Sequence, residues 1–361
     1  MVNMTTSSEA VDVLFVYPQQ GPTGIFGPSC EACASVAVDE LNAGQGLAGR
    51  QVNLIPVDSG RPAEVVADEV SALVATNMVS AITGWHTSDV REAICDRVGG
   101  RLPYVYAALH EGVPDPVPGL FLSGETPANQ IIPGLDFVAR EHHIRDWFIL
   151  GNDYIWPRRN GDHARAFIAR HPSATRLLGE QYVPLGTEDF DAIVTMIARR
   201  RPDGLLLFLV GDDAVHFNRA FDALGLDRDI VRLSPMFEEN TLLAIDGEPM
   251  RNAFAMSGYF DSLSGTSAAT FRHNYDAAYG RWAPPLNHVG ESCYEALQLM
   301  GHLAATSQTI SIEGWQGVSD TVEYESPRGL VSMDGIQLRQ SVKVARIVDF
   351  GFEAEVVLPA R

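Results

Sequence analysis

Polar and aromatic residues stand directly after several apolar stretches that read as strands: Trp85-His86-Thr87-Ser88, Tyr106, Asp153-Tyr154-Ile155-Trp156, Asp212-Asp213, Phe237-Glu238-Glu239 and Tyr259. In an open α/β sheet a ligand lies in the crevice outside the carboxyl ends of the strands. Hydroxyls and rings gathered there suit a small polar solute. The candidate binding residues are therefore His86, Ser88, Tyr106, Tyr154, Trp156, Glu238, Glu239 and Tyr259. Ser88 opens a helix and reads as an N-cap, beside backbone N–H groups that suit a carbonyl or carboxylate oxygen. The acidic pairs could serve acid–base work or hold an ammonium group. Adjacent acids at a strand end are more often solvated, or cap the next helix.

Other patterns carry less chemistry. Gly44-Gln45-Gly46-Leu47-Ala48-Gly49 has dinucleotide spacing, but it ends a helix and precedes a strand, the reverse of the order a pyrophosphate site needs. It reads as a C-cap and turn. Cys30-Glu31-Ala32-Cys33 has redox spacing, yet both cysteines lie on the apolar stripe of a helix, where cysteine packs as a small hydrophobe. Ten histidines occur without a metal-binding spacing. No nucleophile elbow and no phosphate-binding loop is present. The sequence thus nominates no catalytic residue, no metal and no cofactor.

The elements that must position the candidate residues follow from periodicity. Residues 11–17 read as a buried strand that runs into Pro18, Gly21, Pro22, Gly24, Gly27 and Pro28, which predict a long loop. From Ser29, apolar residues recur at helical spacing as far as Gly44, and residues 52–58 supply a second strand. Helices at 63–78 and 88–98 alternate with strands at 79–83 and 103–107. The pattern restarts near 120–124 and runs through strands at 146–151, 177–184, 204–210 and 230–234. Such alternation predicts parallel sheets with helices on both faces. Helices at 266–282 and 290–306 have no new sheet to cover, so they return to the first unit. The β-like tail, 342–348 and 353–358, returns to the second. The expected fold class is α/β with two lobes, 1–124 with 256–325 and 125–255 with 326–361. The crossings are expected near 122–127, 255–260 and 325–332, with the ligand cleft between the lobes.

Composition narrows the partners. Lys and Arg number 26 against 46 Asp and Glu, a formal charge of −20, with no basic run, which argues against nucleic acid and an anionic membrane surface. No stretch approaches the roughly 18–20 apolar residues of a membrane span. Four cysteines in 361 residues do not make a disulfide framework. The polar start and the short apolar run that follows it carry no visible export signal, so a cytoplasmic location is expected, with a periplasmic or extracellular one as the alternative if an export signal has been trimmed.

Gly21-Pro22 through the helix 34–41, then Asn42-Ala43-Gly44, Leu47-Ala48-Gly49-Arg50 and Val57-Asp58, resembles the opening of the type I, leucine-binding family of periplasmic solute receptors. Gly151-Asn152-Asp153-Tyr154-Ile155-Trp156-Pro157-Arg158, with 180–186 after it, is similar to the branch that holds urea-transport and amide receptors. The resemblance implies ligand contacts at His86, Ser88, Tyr106 and Tyr154, with Trp156 nearby. His86 stands where the branch has an aromatic hydroxyl, and Ala108 where the amide receptor has a hydroxyl side chain. The run from Ser234 to Glu239 fits the urea-like pattern of a serine followed by paired glutamates. The first functional expectation is a non-enzymatic sensor that closes on a small amide or urea and acts on a regulatory protein. The alternative is a transport receptor that hands urea, an amide or a branched-chain amino acid to an ABC permease. An amide-hydrolysing enzyme is the weakest reading, and homo-oligomerisation is left open.

Overall fold

The computed structural model describes residues 10–112, 117–171, 173–245 and 250–360. The polar start, residues 1–9, lies outside them. In chain order the first unit comprises β1 Val11–Tyr17, α1 Gly27–Ala43, β2 Val52–Asp58, α2 Ala63–Ala75, β3 Val79–Gly84, α3 Ser88–Val98, β4 Tyr104–Tyr106 and β5 Leu120–Leu122. The second comprises α4 Ile132–Glu141, β6 Asp146–Asn152, α5 Ile155–Arg170, β7 Arg176–Val183, α6 Asp191–Arg200, β8 Gly204–Phe208, α7 Asp212–Ala223, β9 Val231–Ser234, α8 Glu239–Ala244 and β10 Ala253–Ser257. Helices α9 Thr266–Tyr279, α10 His288–Ser307 and α11 Ile312–Val318 follow. Strands β11 Glu323–Ser326, β12 Gly329–Asp334, β13 Gln337–Arg339, β14 Val342–Val348 and β15 Gly351–Leu358 end the chain.

Two sheets result. The first has the order β11-β12-β13-β5-β4-β3-β1-β2 and the second β15-β14-β10-β9-β8-β6-β7. The strands of each βα run pair in parallel, whereas the late hairpins β11-β12-β13 and β14-β15 pair antiparallel at sheet edges. Central strands are buried on both faces, as parallel sheets covered by helices require. In β6 and β8, Trp147, Ile149, Leu206 and Phe208 join one core cluster, and the alternate residues Phe148, Leu150, Leu205 and Leu207 join another. Helix α1 packs against α10, so the late helices do cover the first sheet.

One expected boundary is corrected. Residues after 326 do not all belong to the second lobe, because β12 and β13 extend the first sheet and β13 pairs with β5 at Leu122. The third crossing therefore falls between Arg339 and Val342. Periodicity missed β11–β13 because they are short strands with charged residues, interrupted by Pro327, Gly329 and Gly335.

A buried polar cluster ties the crossings together. Arg328 donates to Glu291 at 2.7 Å, to Gln340 at 2.6 Å, to Ser292 at 2.8 Å and to the Ser123 carbonyl at 3.3 Å. Lys343 donates to the carbonyls of Gly258 and Arg328, while Glu125 accepts from the Gly258 N–H. Segments from all three crossings thus share one hydrogen-bonded core.

Candidate functional site

A small cavity of about 10 Å³ lies between the lobes. The first lobe contributes Trp85, His86, Thr87, Ser88, Tyr106, Ala108 and Leu109; the second contributes Tyr154, Trp156, Val210 and Met236. Each group stands where a strand ends. Trp85 to Ser88 join β3 to α3, Tyr106 closes β4, Tyr154 and Trp156 join β6 to α5, and Val210 and Met236 follow β8 and β9. The sheet order brings β3 and β4 side by side, so their ends form one wall.

The first wall is held by hydrogen bonds that fix proton positions. His86 Nδ1 lies 3.1 Å from the Val16 carbonyl, which can only accept, so Nδ1 carries the proton and Nε2 accepts from the Tyr104 hydroxyl. Burial pushes the His86 pKa down to about 3, keeping the ring neutral. Tyr106 donates its hydroxyl proton to the His86 carbonyl at 2.6 Å. Ser88 donates to Glu111 at 2.8 Å, and the other Glu111 oxygen accepts from Arg91 at 2.7 Å. The Arg91 guanidinium also lies over the Tyr106 ring, 5.1 Å from its centre. Although burial opposes ionisation of Glu111, the adjacent Arg91 holds its pKa below the usual carboxylate value.

The second wall is aromatic. Tyr154 and Trp156 stack at 6.4 Å, and Trp156 meets Phe208 edge-on. Burial raises the Tyr154 pKa well above its ordinary value, so the phenol stays protonated. Across the cleft, Phe26 packs edge-on against Trp85 at 5.2 Å.

The lobes touch around the cavity. Asp212 N–H donates to the Pro22 carbonyl at 2.9 Å, Asn240 donates to the Ile25 carbonyl at 2.9 Å, and His163 lies 3.3 Å from the Glu111 carbonyl. These contacts describe a closed arrangement.

Five of the eight candidate residues, His86, Ser88, Tyr106, Tyr154 and Trp156, line this one cavity. Glu238, Glu239 and Tyr259 do not. Glu238 is the N-cap of α8 and accepts from the N–H groups of Asn240 and Thr241, and burial raises its pKa to about 7. Glu239 is half-buried beside it and accepts from the Asp261 N–H. Tyr259 packs against Phe271 at 6.0 Å. The helix-cap reading of the acidic pair is what the fold uses, because a carboxylate satisfies the unpaired N–H groups of a first turn. Ser88 is also corrected. Thr87 holds the N-cap position of α3, and Ser88, the first helical residue, turns its hydroxyl to Glu111.

Sequence reasoning missed Arg91 and Glu111. Arg91 was accessible in principle, since it lies three residues after Ser88 on the same helical face. Glu111 lies in the irregular segment after β4, where no periodicity marks it. Asp213 was noted only as part of an acidic pair. It accepts from Asn152 and from the N–H groups of Gly186 and Thr187, and so braces the loops of the second wall. Among the described residues no group of three or more His, Cys, Asp or Glu is placed to hold a metal ion.

The family profile described as periplasmic binding protein matches residues 10–351. The chain belongs to the periplasmic binding protein family. Solved structures similar to this periplasmic binding protein cover nearly its whole length. A solute binding protein of an ABC transporter from Rhodopseudomonas palustris HaA2, in complex with p-hydroxybenzoic acid, is 17% identical with a TM-score of 0.85, covering 98% of each chain. A branched-chain amino acid transporter substrate binding protein from Streptococcus pneumoniae, in complex with isoleucine, is 18% identical with a TM-score of 0.81, covering 98% of this chain and 99% of its own. A leucine binding protein from Thermotoga maritima is 15% identical with a TM-score of 0.83, covering 97% and 99%. The two-lobed fold is common to all three.

Family membership corrects the expected cytoplasmic location, since this is a family of periplasmic receptors. That expectation rested on the short apolar run near the start. In the structure the run is β1, a buried strand between β2 and β3 in the first sheet, and carries no information about compartment. No helix among the described residues is long and apolar enough to cross a membrane.

Proposed function

We propose that this periplasmic binding protein is the solute receptor of an ABC-type importer, taking a small solute of no net charge between its lobes and presenting the closed form to a permease. The observation that carries the reading is the cavity lining. It contains four large aromatic rings, the hydroxyls of Thr87, Ser88, Tyr106 and Tyr154, and no ionised side chain. Ligand pockets of this kind are apolar, with a few placed polar groups that fix orientation. The first-turn N–H groups of α3 lack intrahelical partners and suit a carbonyl oxygen of the ligand. Short amides, urea and branched-chain amino acids all meet these requirements.

The named relatives are transporter proteins, which supports import over the regulation of a cytoplasmic partner. Lobe closure supplies the signal a permease reads, because a ligand that contacts both walls binds the closed state better and shifts the population toward it. The test is a thermal-shift and calorimetric panel of isobutyramide, urea, isoleucine, leucine and benzoate, with small-angle scattering of the best binder. Saturable binding with a smaller radius of gyration is the expected result. A panel without any binder refutes the reading.

A further inference from the structure

We propose that Cys30 and Cys293 are partners in a disulfide that staples α1 to α10, formed by exchange with an external disulfide while the chain folds in an oxidising compartment. The bridge goes beyond the receptor reading and depends on no solute. Cys30 and Cys33 lie one turn apart on α1, and Cys293 lies on α10; all three side chains are fully buried. The Cys30 thiol is in hydrogen-bonding contact with that of Cys293. All three are free thiols in this structure. The helices meet here backbone to backbone. Gly290 lies three residues before Cys293, on the same face of α10. A Cβ on Gly290 would stand 2.7 Å from the Ser29 carbonyl oxygen and 2.9 Å from Cys33 Sγ. Ser29 also donates its hydroxyl to the Pro285 carbonyl at 2.8 Å, which fixes the start of α1 to the segment leading into α10. A disulfide needs Cα atoms within about 4.4–6.8 Å, a range that helices reach where side chains do not hold them apart. The glycine contact beside the thiols meets that need.

Cys30 with Cys33 is the poorer pair. Residues three apart on a helix hold their Cβ atoms about 5–6 Å apart, whereas a disulfide needs about 3.5–4.5 Å, so a bridge inside α1 would distort its first turns. Burial pushes the Cys30 and Cys33 thiols well above their ordinary pKa, so in the folded protein they stay protonated and shielded. The exchange therefore precedes the docking of α10 on α1. One thiolate attacks the external disulfide and releases the first reagent thiol; the second thiolate then displaces the other reagent thiol from the mixed disulfide. One S–S bond forms as one breaks, and the two cysteines pass two electrons and two protons to the reagent. Oxidising compartments such as the periplasm supply oxidants of this class. The link joins two parts of the first lobe that enter the chain about 260 residues apart, on either side of the second lobe.

The decisive experiment reduces and unfolds the full chain in guanidinium chloride and refolds it by dilution into a mixture of oxidised and reduced glutathione. The product is alkylated under denaturing conditions and weighed by mass spectrometry. Two alkylated cysteines of the four are expected. Cleavage after glutamate separates Cys30 from Cys33 at Glu31, and should release a single linked pair, Cys30 with Cys293. Cys95→Ala should keep the bridge, and Cys293→Ala should lose it and leave every remaining cysteine alkylated, with circular dichroism confirming folded proteins. The wild-type count decides by itself, so a variant that fails to fold does not obscure the result. Four alkylated cysteines in the refolded wild type, or a bridge between any other pair, overturns the proposal. The receptor reading stands in either case, because no solute enters the measurement.

Discussion

Replacing Gly211 with alanine tests the closed arrangement directly. Gly211 precedes α7 with φ 59° and ψ −130°, a conformation open to glycine and costly for other residues. Its neighbour Asp212 donates across the cleft to the Pro22 carbonyl. A Cβ on Gly211 would lie 2.0 Å from the Pro22 oxygen and 3.2 Å from the Thr23 Cα. The closed lobes must then separate by more than ~1 Å at this edge, since carbon and oxygen do not approach within about 3 Å, and the hydrogen bond is lost. A net hydrogen bond contributes about 0.5–1.5 kcal/mol, and the residual clash adds to it. At ~1.4 kcal/mol per tenfold, solute affinity should fall by about tenfold or more. The backbone strain of a positive φ, about 1–2 kcal/mol, acts on the open and closed forms alike and lowers the melting temperature rather than the affinity. Gly225→Ala provides the control, because Gly225 also has a positive φ, +68°, but has nothing within 4 Å of its Cβ position. Calorimetry with the best panel solute and scattering with and without it are the assays. Wild-type affinity and the same compaction in Gly211→Ala would refute the assignment of this edge as a closure contact.

Three further outcomes are expected. Ser88→Ala and Tyr154→Ala should each weaken solute binding by roughly 1–3 kcal/mol, the cost of an unmet buried polar group, and calorimetry showing no change in both would remove these residues from the site. Arg328→Ala should cost about 3–5 kcal/mol of stability in urea unfolding, because it strands Glu291 and Gln340 in the buried crossing; a loss under ~1 kcal/mol would contradict the clamp. Acid should remove the stability contributed by the buried neutral histidines. Burial holds His86 at about 3 and His110 and His288 at about 4, so each takes up a proton below its ordinary 6.5 only on unfolding. Their contribution is complete above pH 6.5 and is lost as the pH falls toward those values. Glu238, raised to about 7, and Glu291, raised to about 8, work in the opposite direction as the pH falls toward 4.5, as does Glu239, so the contribution of the histidines is read from a difference between variants. His86→Gln should remove about one proton from the acid slope, roughly 1.4 kcal/mol per pH unit, and an unchanged slope would contradict a buried neutral His86.

The two parallel sheets were legible because their strands are short apolar runs bounded by turn residues and separated by amphipathic helices. The strand 204–210 and the helix 88–98 need no tertiary information to be read. The third crossing was not legible. In β11 and β12, residues such as Glu323, Glu325 and Asp334 face solvent at an antiparallel edge, and only their pairing with one another and with β5 makes strands of them. Pairing between segments some two hundred residues apart leaves no local periodic signal.

The site divides along the same line. Position relative to a strand end located Ser88, Tyr106, Tyr154 and Trp156, because the fold places every such end at one crevice. The same rule also selected Glu238, Glu239 and Tyr259, since a strand end can face the crevice, cap a helix or enter a crossing. Local spacing does not distinguish these fates; the partner of each side chain does. Glu238 finds two N–H groups of its own helix. Glu111 belongs to no regular element, yet it accepts from both Ser88 and Arg91 behind the first wall. Residue types at strand ends therefore locate the crevice, whereas the partners behind its lining, such as Arg91 and Glu111, follow from the tertiary fold alone.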